Sequence, residues 1–196
     1  LGSEGGDLRA SQASLTVCGS HFNESYANEG GSLYLKNTHA VIQCSTFYNT
    51  SQSAGTGGGA VSALGASNVT VRDCSFWYNY AEAGAGIYAQ DAVLRVTGSK
   101  FLHTFGSAIY TDAAELTVQH TGFHNCSSPY GGAVRVAFSS PESREAIFRN
   151  VTIADCLATS NGGGIQAELL GSDSDGSVSI VDSTISGCEV SRSPQP

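Results

Sequence analysis

Apolar residues in this chain come in short alternating runs rather than at helical spacing. Leu15-Thr16-Val17, Val69-Thr70-Val71, Leu94-Arg95-Val96, Leu116-Thr117-Val118 and Val178-Ser179-Ile180 each turn an apolar side chain to one face every second residue. That alternation predicts strands with one buried face. The runs sit inside a longer repeat. A glycine pair or near-pair, a small residue and an apolar anchor recur seven times, as in Gly30-Gly31-Ser32-Leu33, Gly58-Gly59-Ala60-Val61 and Gly131-Gly132-Ala133-Val134. The anchors are Leu8, Leu33, Val61, Ile87, Ile109, Val134 and Ile165, spaced by 25, 28, 26, 22, 25 and 31 residues. A second anchor follows each: Phe22, Phe47, Trp77 or Phe76, Phe101, Phe123, Ile153 and Ile185, with a gap of 14 in most repeats. A one-residue bulge around Cys74-Ser75-Phe76-Trp77 would reconcile the two registers of the third repeat.

A period of this length, made of three short strands and turns, predicts one coil of a single-stranded parallel β-helix. Leucine-rich repeats need a Leu/Asn frame that is missing, propeller blades are longer, and a sandwich would not repeat one motif seven times. The fold class is therefore all-β, a solenoid of about seven coils and a rod roughly 30–35 Å long. Residues 1–190 are assigned to the helix, as part of a longer chain, and 191–196 to a tail or linker. The first anchors face inward, as do Ala10, Leu35, Ala63, Ala89, Thr111, Val136 and Ala167 two residues on, and the glycine pairs mark turns where no Cβ fits.

Composition narrows the function. The chain has 196 residues, 24 of them glycine, with 13% charged residues, a net charge of −8 and a pI near 4.9. An acidic chain has no electrostatic reason to bind nucleic acid or an anionic membrane. No apolar run approaches the ~18 residues of a membrane span. Neither a nucleic-acid partner nor direct membrane insertion is expected. The chain opens without Met or a signal peptide, so it reads as a mature chain or a fragment.

The repeat resembles that of the chlamydia-type polymorphic outer-membrane proteins, marked by GGA-[ILV] and F-x-x-N. Gly58-Gly59-Ala60-Val61 and Gly131-Gly132-Ala133-Val134 match the first mark and Phe76-Trp77-Tyr78-Asn79 the second. Phe47-Tyr48-Asn49, Trp77-Tyr78-Asn79 and Phe123-His124-Asn125 are looser versions. The resemblance covers about residues 5–188. It implies a right-handed parallel β-helix of the pectin-lyase-like kind and a surface or adhesive role, without a substrate.

Six cysteines fall near the second anchors. Cys44 and Cys74 read as one column with Cys18 one residue further back, and Cys126, Cys156 and Cys188 as another. Ladder neighbours lie within a disulfide's Cα separation, so Cys18–Cys44 or Cys44–Cys74, and Cys126–Cys156 or Cys156–Cys188, are candidate bridges. Stacked reduced thiols are the alternative. Five Asn-x-Ser/Thr sequons occur, at Asn23, Asn49, Asn68, Asn125 and Asn150, and with the cysteines they favour a secreted, extracellular or cell-surface glycoprotein. Asn68 is the preferred glycan site and Asn150 the next. Asn49 and Asn125, with Asn79 and Asp155, are expected to turn inward as an asparagine ladder.

No catalytic constellation stands out. Arg72, Asp73, Arg95 and His120 are the nearest to one, and they are scattered. His103, His120 and His124 have unequal offsets, and Asp173-Ser174-Asp175-Gly176 is a fragment of a calcium loop without the rest. No metal or other cofactor is expected. Thr16, Thr70 and Thr117 align as an ice-binding array would, but Arg95 interrupts them. The outward residue after each first anchor gives a column in which Tyr34, Tyr88, Tyr110 and Arg135 form a candidate contact surface. Insertions near 138–145 and 170–176 share one corner and could form a binding surface. The expectation is a non-catalytic, extracellular structural or adhesive rod, a segment of a filament or cell-surface protein. Its partners are other protein chains, self-assembling or filament neighbours, or surface glycans. The alternative is a carbohydrate-binding or polysaccharide-cleaving, pectate-lyase-like helix.

Overall fold

Each repeat lays down three strands that pair only with their counterparts in the repeats before and after, in parallel. The computed structural model describes residues 5–53 and 57–191, and among these there is no helix. The first sheet stacks Leu8–Ser11, Leu33–Lys36, Val61–Leu64, Ile87–Gln90, Ile109–Asp112, Val134–Phe138 and Ile165–Leu169. The second stacks Ser14–Cys18, His39–Gln43, Asn68–Arg72, Val93–Thr97, Glu115–Gln119, Arg144–Arg149 and Gly176–Val181. The third stacks His21–Asn23, Thr46–Tyr48, Ser75–Trp77, Lys100–Leu102, Gly122–His124, Thr152–Ala154 and Thr184–Ser186. A narrower fourth ladder runs through Tyr26, Ser51, Tyr80, Phe105, Ser127, Leu157 and Glu189. The result is the expected all-β parallel solenoid, with about six full turns between its first and last coils. Of the tail expected over 191–196, only Ser191 lies among the described residues.

Stacking makes each inward position a column, and the columns are the core. Leu33, Val61, Ile87, Ile109 and Val134 are fully buried, as are Leu35, Ala63, Ala89, Thr111 and Val136 two residues on. The third sheet contributes a stack of phenylalanines. Ring centroids of Phe22, Phe47, Phe76, Phe101 and Phe123 are separated by 4.8, 4.8, 4.5 and 4.9 Å, with ring planes within 9° of parallel. These distances are the strand spacing itself, so each ring sits over the one below without a rotamer change. Burying one such ring is worth about 1.5–3 kcal/mol.

The third coil resolves the doubtful register. Phe76 pairs with Phe47 and Phe101, while Trp77 pairs with Tyr48 and Leu102 and is 40% exposed. The anchor is Phe76, and the strand carries no bulge. The extra residue of this repeat lies in the turn before the second sheet. Gly65, Ala66 and Ser67 join the strands there, where Asn37 and Thr38 suffice one coil earlier. A turn absorbs an additional residue without breaking a ladder hydrogen bond, whereas a bulge would have disturbed the phenylalanine stack.

Corners are made by single residues in the left-handed region. Among the described residues, fifteen non-glycine residues have φ between 49° and 56°. One column of them passes through Gly19, Cys44, Asp73, Gly98, His120, Asn150 and Asp182, and another through Glu24, Asn49, Tyr78, His103, Asn125, Asp155 and Gly187. Asn, Asp and Gly predominate because they occupy this region at least cost. One left-handed residue also reverses the in/out alternation, so two consecutive side chains point outward at each corner.

Candidate functional site

That reversal creates an aromatic face. In the third coil Phe76 points in, Trp77 out, the left-handed Tyr78 out, Asn79 in, and Tyr80 out. Tyr48 precedes Trp77 in the same outward column, and Tyr48 and Tyr78 meet edge to face with centroids 5.9 Å apart. His103 stacks flat on Tyr78 at 5.0 Å. On the fourth ladder Tyr80 is bridged to Phe105, which is bridged to Ser127. Tyr80 is 56% exposed and Phe105 51%. A row of exposed rings on consecutive coils therefore follows the rod axis. Beside it runs a groove of about 520 Å³ lined by Gln52, Tyr80, Glu82, Phe105, Pro129 and Leu157 among others.

Asn79 fixes the backbone beneath this face. Its side chain is fully buried in the column Ser25, Thr50, Asn79, Thr104, Cys126, Cys156 and Cys188. Its Oδ1 accepts from the Thr50 N–H at 3.0 Å and the Thr50 hydroxyl at 2.9 Å, and its Nδ2 donates to the Phe47 carbonyl at 3.2 Å. It is the inward asparagine. Asn49, Asn125 and Asp155 occupy the preceding left-handed position; Asn49 and Asn125 are exposed, so they do not form the expected inward ladder. Accessibility of the sequons is thereby reordered. Asn23, Asn49, Asn125 and Asn150 are exposed, while Asn68 is half-buried and its Oδ1 accepts from Arg95 at 3.0 Å.

All six cysteines are free thiols. The first expected column dissolves with the corrected register. Cys18 ends a strand opposite Gln43, Cys44 occupies the next corner, and Cys74 lies one position further, beside Ser45 and Ser99. Three successive positions in three coils do not place Cys18–Cys44 or Cys44–Cys74 in one ladder. Cys126, Cys156 and Cys188 do share a column, and their thiols donate to the His124, Ala154 and Ser186 carbonyls at 3.6, 3.3 and 3.4 Å. Burial pushes the Cys74 and Cys188 thiols up; a hydrogen bond with Cys126, then burial, pushes Cys156 up.

The expected contact column is covered. Arg9, Tyr34, Ser62, Tyr88, Tyr110, Arg135 and Gln166 do align in register. Yet Tyr34 is buried, Tyr88 is 2% exposed and Tyr110 9%. Tyr88, Tyr110 and Ala137 form a satellite core with Leu64 and Ala83 against them. Arg135 lies 4.7 Å from the Tyr110 centroid and 4.9 Å from that of Tyr130, and it is ion-paired to Glu168 at 2.6 Å. These residues hold the first sheet's outer face together and present no open ring. The exposed row is Tyr48, Trp77, Tyr78, Tyr80 and Phe105, with Tyr26 and Tyr130 exposed on other coils. The sequence carries a signal for them: in Phe76-Trp77-Tyr78-Asn79-Tyr80 only one of four aromatics occupies the anchor column.

The charged residues weighed as catalytic candidates do not converge. Arg72 shares a column with Thr97, and Arg95 sits between Thr70 and Thr117 on the second sheet. Asp73 and His120 occupy the corner, where His120 Nδ1 contacts Asn150 Nδ2 at 2.7 Å. His103 and His124 lie on other columns, and the described residues hold no group of three potential metal ligands. The two insertions do meet: the Leu170 N–H donates to the Phe138 carbonyl at 2.9 Å.

Residues 8–185 match the family described as a right-handed β-helix region. No curated protein and no solved structure matches the chain.

Proposed function

The chain belongs to the right-handed β-helix family, and from that premise we propose that it acts outside the cell as a non-catalytic structural or adhesive rod, a segment of a surface filament or cell-surface protein. The observation that carries this reading is the row of exposed rings along the rod, Tyr48, Trp77, Tyr78, Tyr80 and Phe105. Aromatic side chains dominate contact surfaces because they offer large area for little conformational entropy. Resemblance to the polymorphic outer-membrane protein repeats, on the GGA-[ILV] and F-x-x-N marks, supports a surface role. Four exposed sequons support a secretory route. The non-catalytic reading is supported by Arg72 and Arg95 lying on separate columns and by Asp73 and His120 standing two coils apart on a third, so that the four do not converge on one bond.

A carbohydrate-binding or polysaccharide-cleaving helix is the second reading. The hydroxyls of Ser53, Ser127 and Thr159 beside Tyr80 and Phe105 favour its binding half.

Two measurements decide. A membrane-impermeant reagent on intact cells of the source should label the protein, and labelling only after lysis overturns the extracellular reading. Purified protein should leave pectin, alginate, chitin and glucan intact. Depolymerisation that Asp73→Asn abolishes would replace the rod with an enzyme.

A further inference from the structure

The groove beside the exposed rings has a charge as well as a shape. Among the described residues its lining contains no Lys or Arg, and Glu82 is the one carboxylate there. Glu82 is exposed, and no ion pair to it exists among the described residues. It borders a second cavity as well, shared with Tyr130 and Arg135. Arg135 is already engaged by Glu168 and by the faces of Tyr110 and Tyr130, so it does not neutralise Glu82.

Length is the second constraint. The lining spans five coils, from Gln52 and Ser53 through Tyr80, Phe105 and Ser127 to Leu157 and Thr159. Four strand spacings make about 19 Å, the length of roughly six extended residues. An acidic trough with aromatic walls, set in a chain of net charge −8, is complementary to cationic side chains. Ring faces attract cations through their quadrupole, and the carboxylate beside them adds to the same preference.

We infer that this groove takes an extended basic segment of a partner protein, with a Lys or Arg side chain over the faces of Tyr80 and Phe105 and its charge against Glu82. The inference rests on the contact-rod reading and gives its partner a chemistry. The rest of the segment lies along Pro129 and Leu157, and hydroxyls of Ser127 and Thr159 reach its backbone.

The test is fluorescence anisotropy of the intact protein with a labelled Gly-Arg-Gly-Arg-Gly-Arg peptide, its Gly-Glu counterpart and a chito-oligosaccharide. The Arg peptide should bind best. Glu82→Gln and Tyr80→Ala should each weaken it about tenfold, while Asp182→Asn, the same charge change at a distant exposed corner, should leave it unchanged. Unaltered circular dichroism and melting temperature keep a Tyr80→Ala loss attributable to the groove. Equal losses for Glu82→Gln and Asp182→Asn mean diffuse attraction to an acidic surface and overturn the site. Preference for the oligosaccharide or the Gly-Glu peptide overturns the partner class. Failure of the Arg peptide with surface labelling intact removes the groove inference and leaves the rod. Labelling only after lysis removes the rod whatever the peptide does.

Discussion

Asn79 Oδ1 accepts both the backbone N–H and the hydroxyl of Thr50, one coil below it, inside the rod. Its Nδ2 donates to the Phe47 carbonyl in the same coil as Thr50. One amide thus satisfies two donors and one acceptor that have no water to turn to. Asn79→Ala strands those groups, at about 1–3 kcal/mol. A urea melt should show the loss, with a smaller one for Asn49→Ala at the exposed corner below it, where only the left-handed φ of 51° is at stake.

The two register candidates predict opposite mutational costs. Phe76 lies between the Phe47 and Phe101 rings at 4.8 and 4.5 Å, so Phe76→Ala should cost about 3–5 kcal/mol. Trp77→Ala, at a side chain 40% exposed, should cost less than about 1 kcal/mol. Comparable losses at both positions would refute the in-register stack.

Tyr88 and Tyr110 behave as core. Replacing both with alanine empties the satellite cluster and removes the ring under Arg135. The double variant should lose roughly 3 kcal/mol or more, seen as a lower melting temperature. Unchanged stability with altered association would restore them as a contact surface.

Glycines separate steric from conformational cost. A Cβ at Gly59 would lie 2.3 Å from the Ala85 carbonyl oxygen and 2.5 Å from that of Tyr80, both fixed by the coil above. A Cβ at Gly19 meets nothing within 4 Å, but φ there is +57°. Gly59→Ala should therefore cost about 3 kcal/mol and Gly19→Ala about 1 kcal/mol. Chemical denaturation of the pair reads the difference.

Alkali should loosen the rod. Burial raises Cys74 and Tyr110. Each keeps its proton in the folded state at a pH where the unfolded chain has released it. The stabilisation is complete below the ordinary thiol range and falls as pH rises through and above it. The urea midpoint should be flat to about pH 8 and decline beyond, with a shallower decline in Cys74→Ala. A midpoint that rises with pH above that range would contradict the burial of these two groups.

The sequence by itself determined the solenoid, because every coil obeys the same local rule. Leu33, Val61, Ile87, Ile109 and Val134 recur with their strands, and stacking at one strand spacing turns each recurrence into a buried column. It left the third coil open because Phe76 and Trp77 are both acceptable anchors in isolation. Only the Phe47 and Phe101 rings above and below choose between them. The register of that coil in turn decided that Cys44 and Cys74 occupy different columns. Exposure was the other matter reserved to tertiary structure. Tyr80 ends the third repeat and Tyr88 opens the fourth, both as outward tyrosines, yet Tyr88 lies against Ala83 and Leu64 while Tyr80 stands open beside Phe105. Alternation says which side of a strand a residue takes. Whether that side meets solvent depends on where the connecting turns run, and those are set by contacts between coils that no single repeat contains.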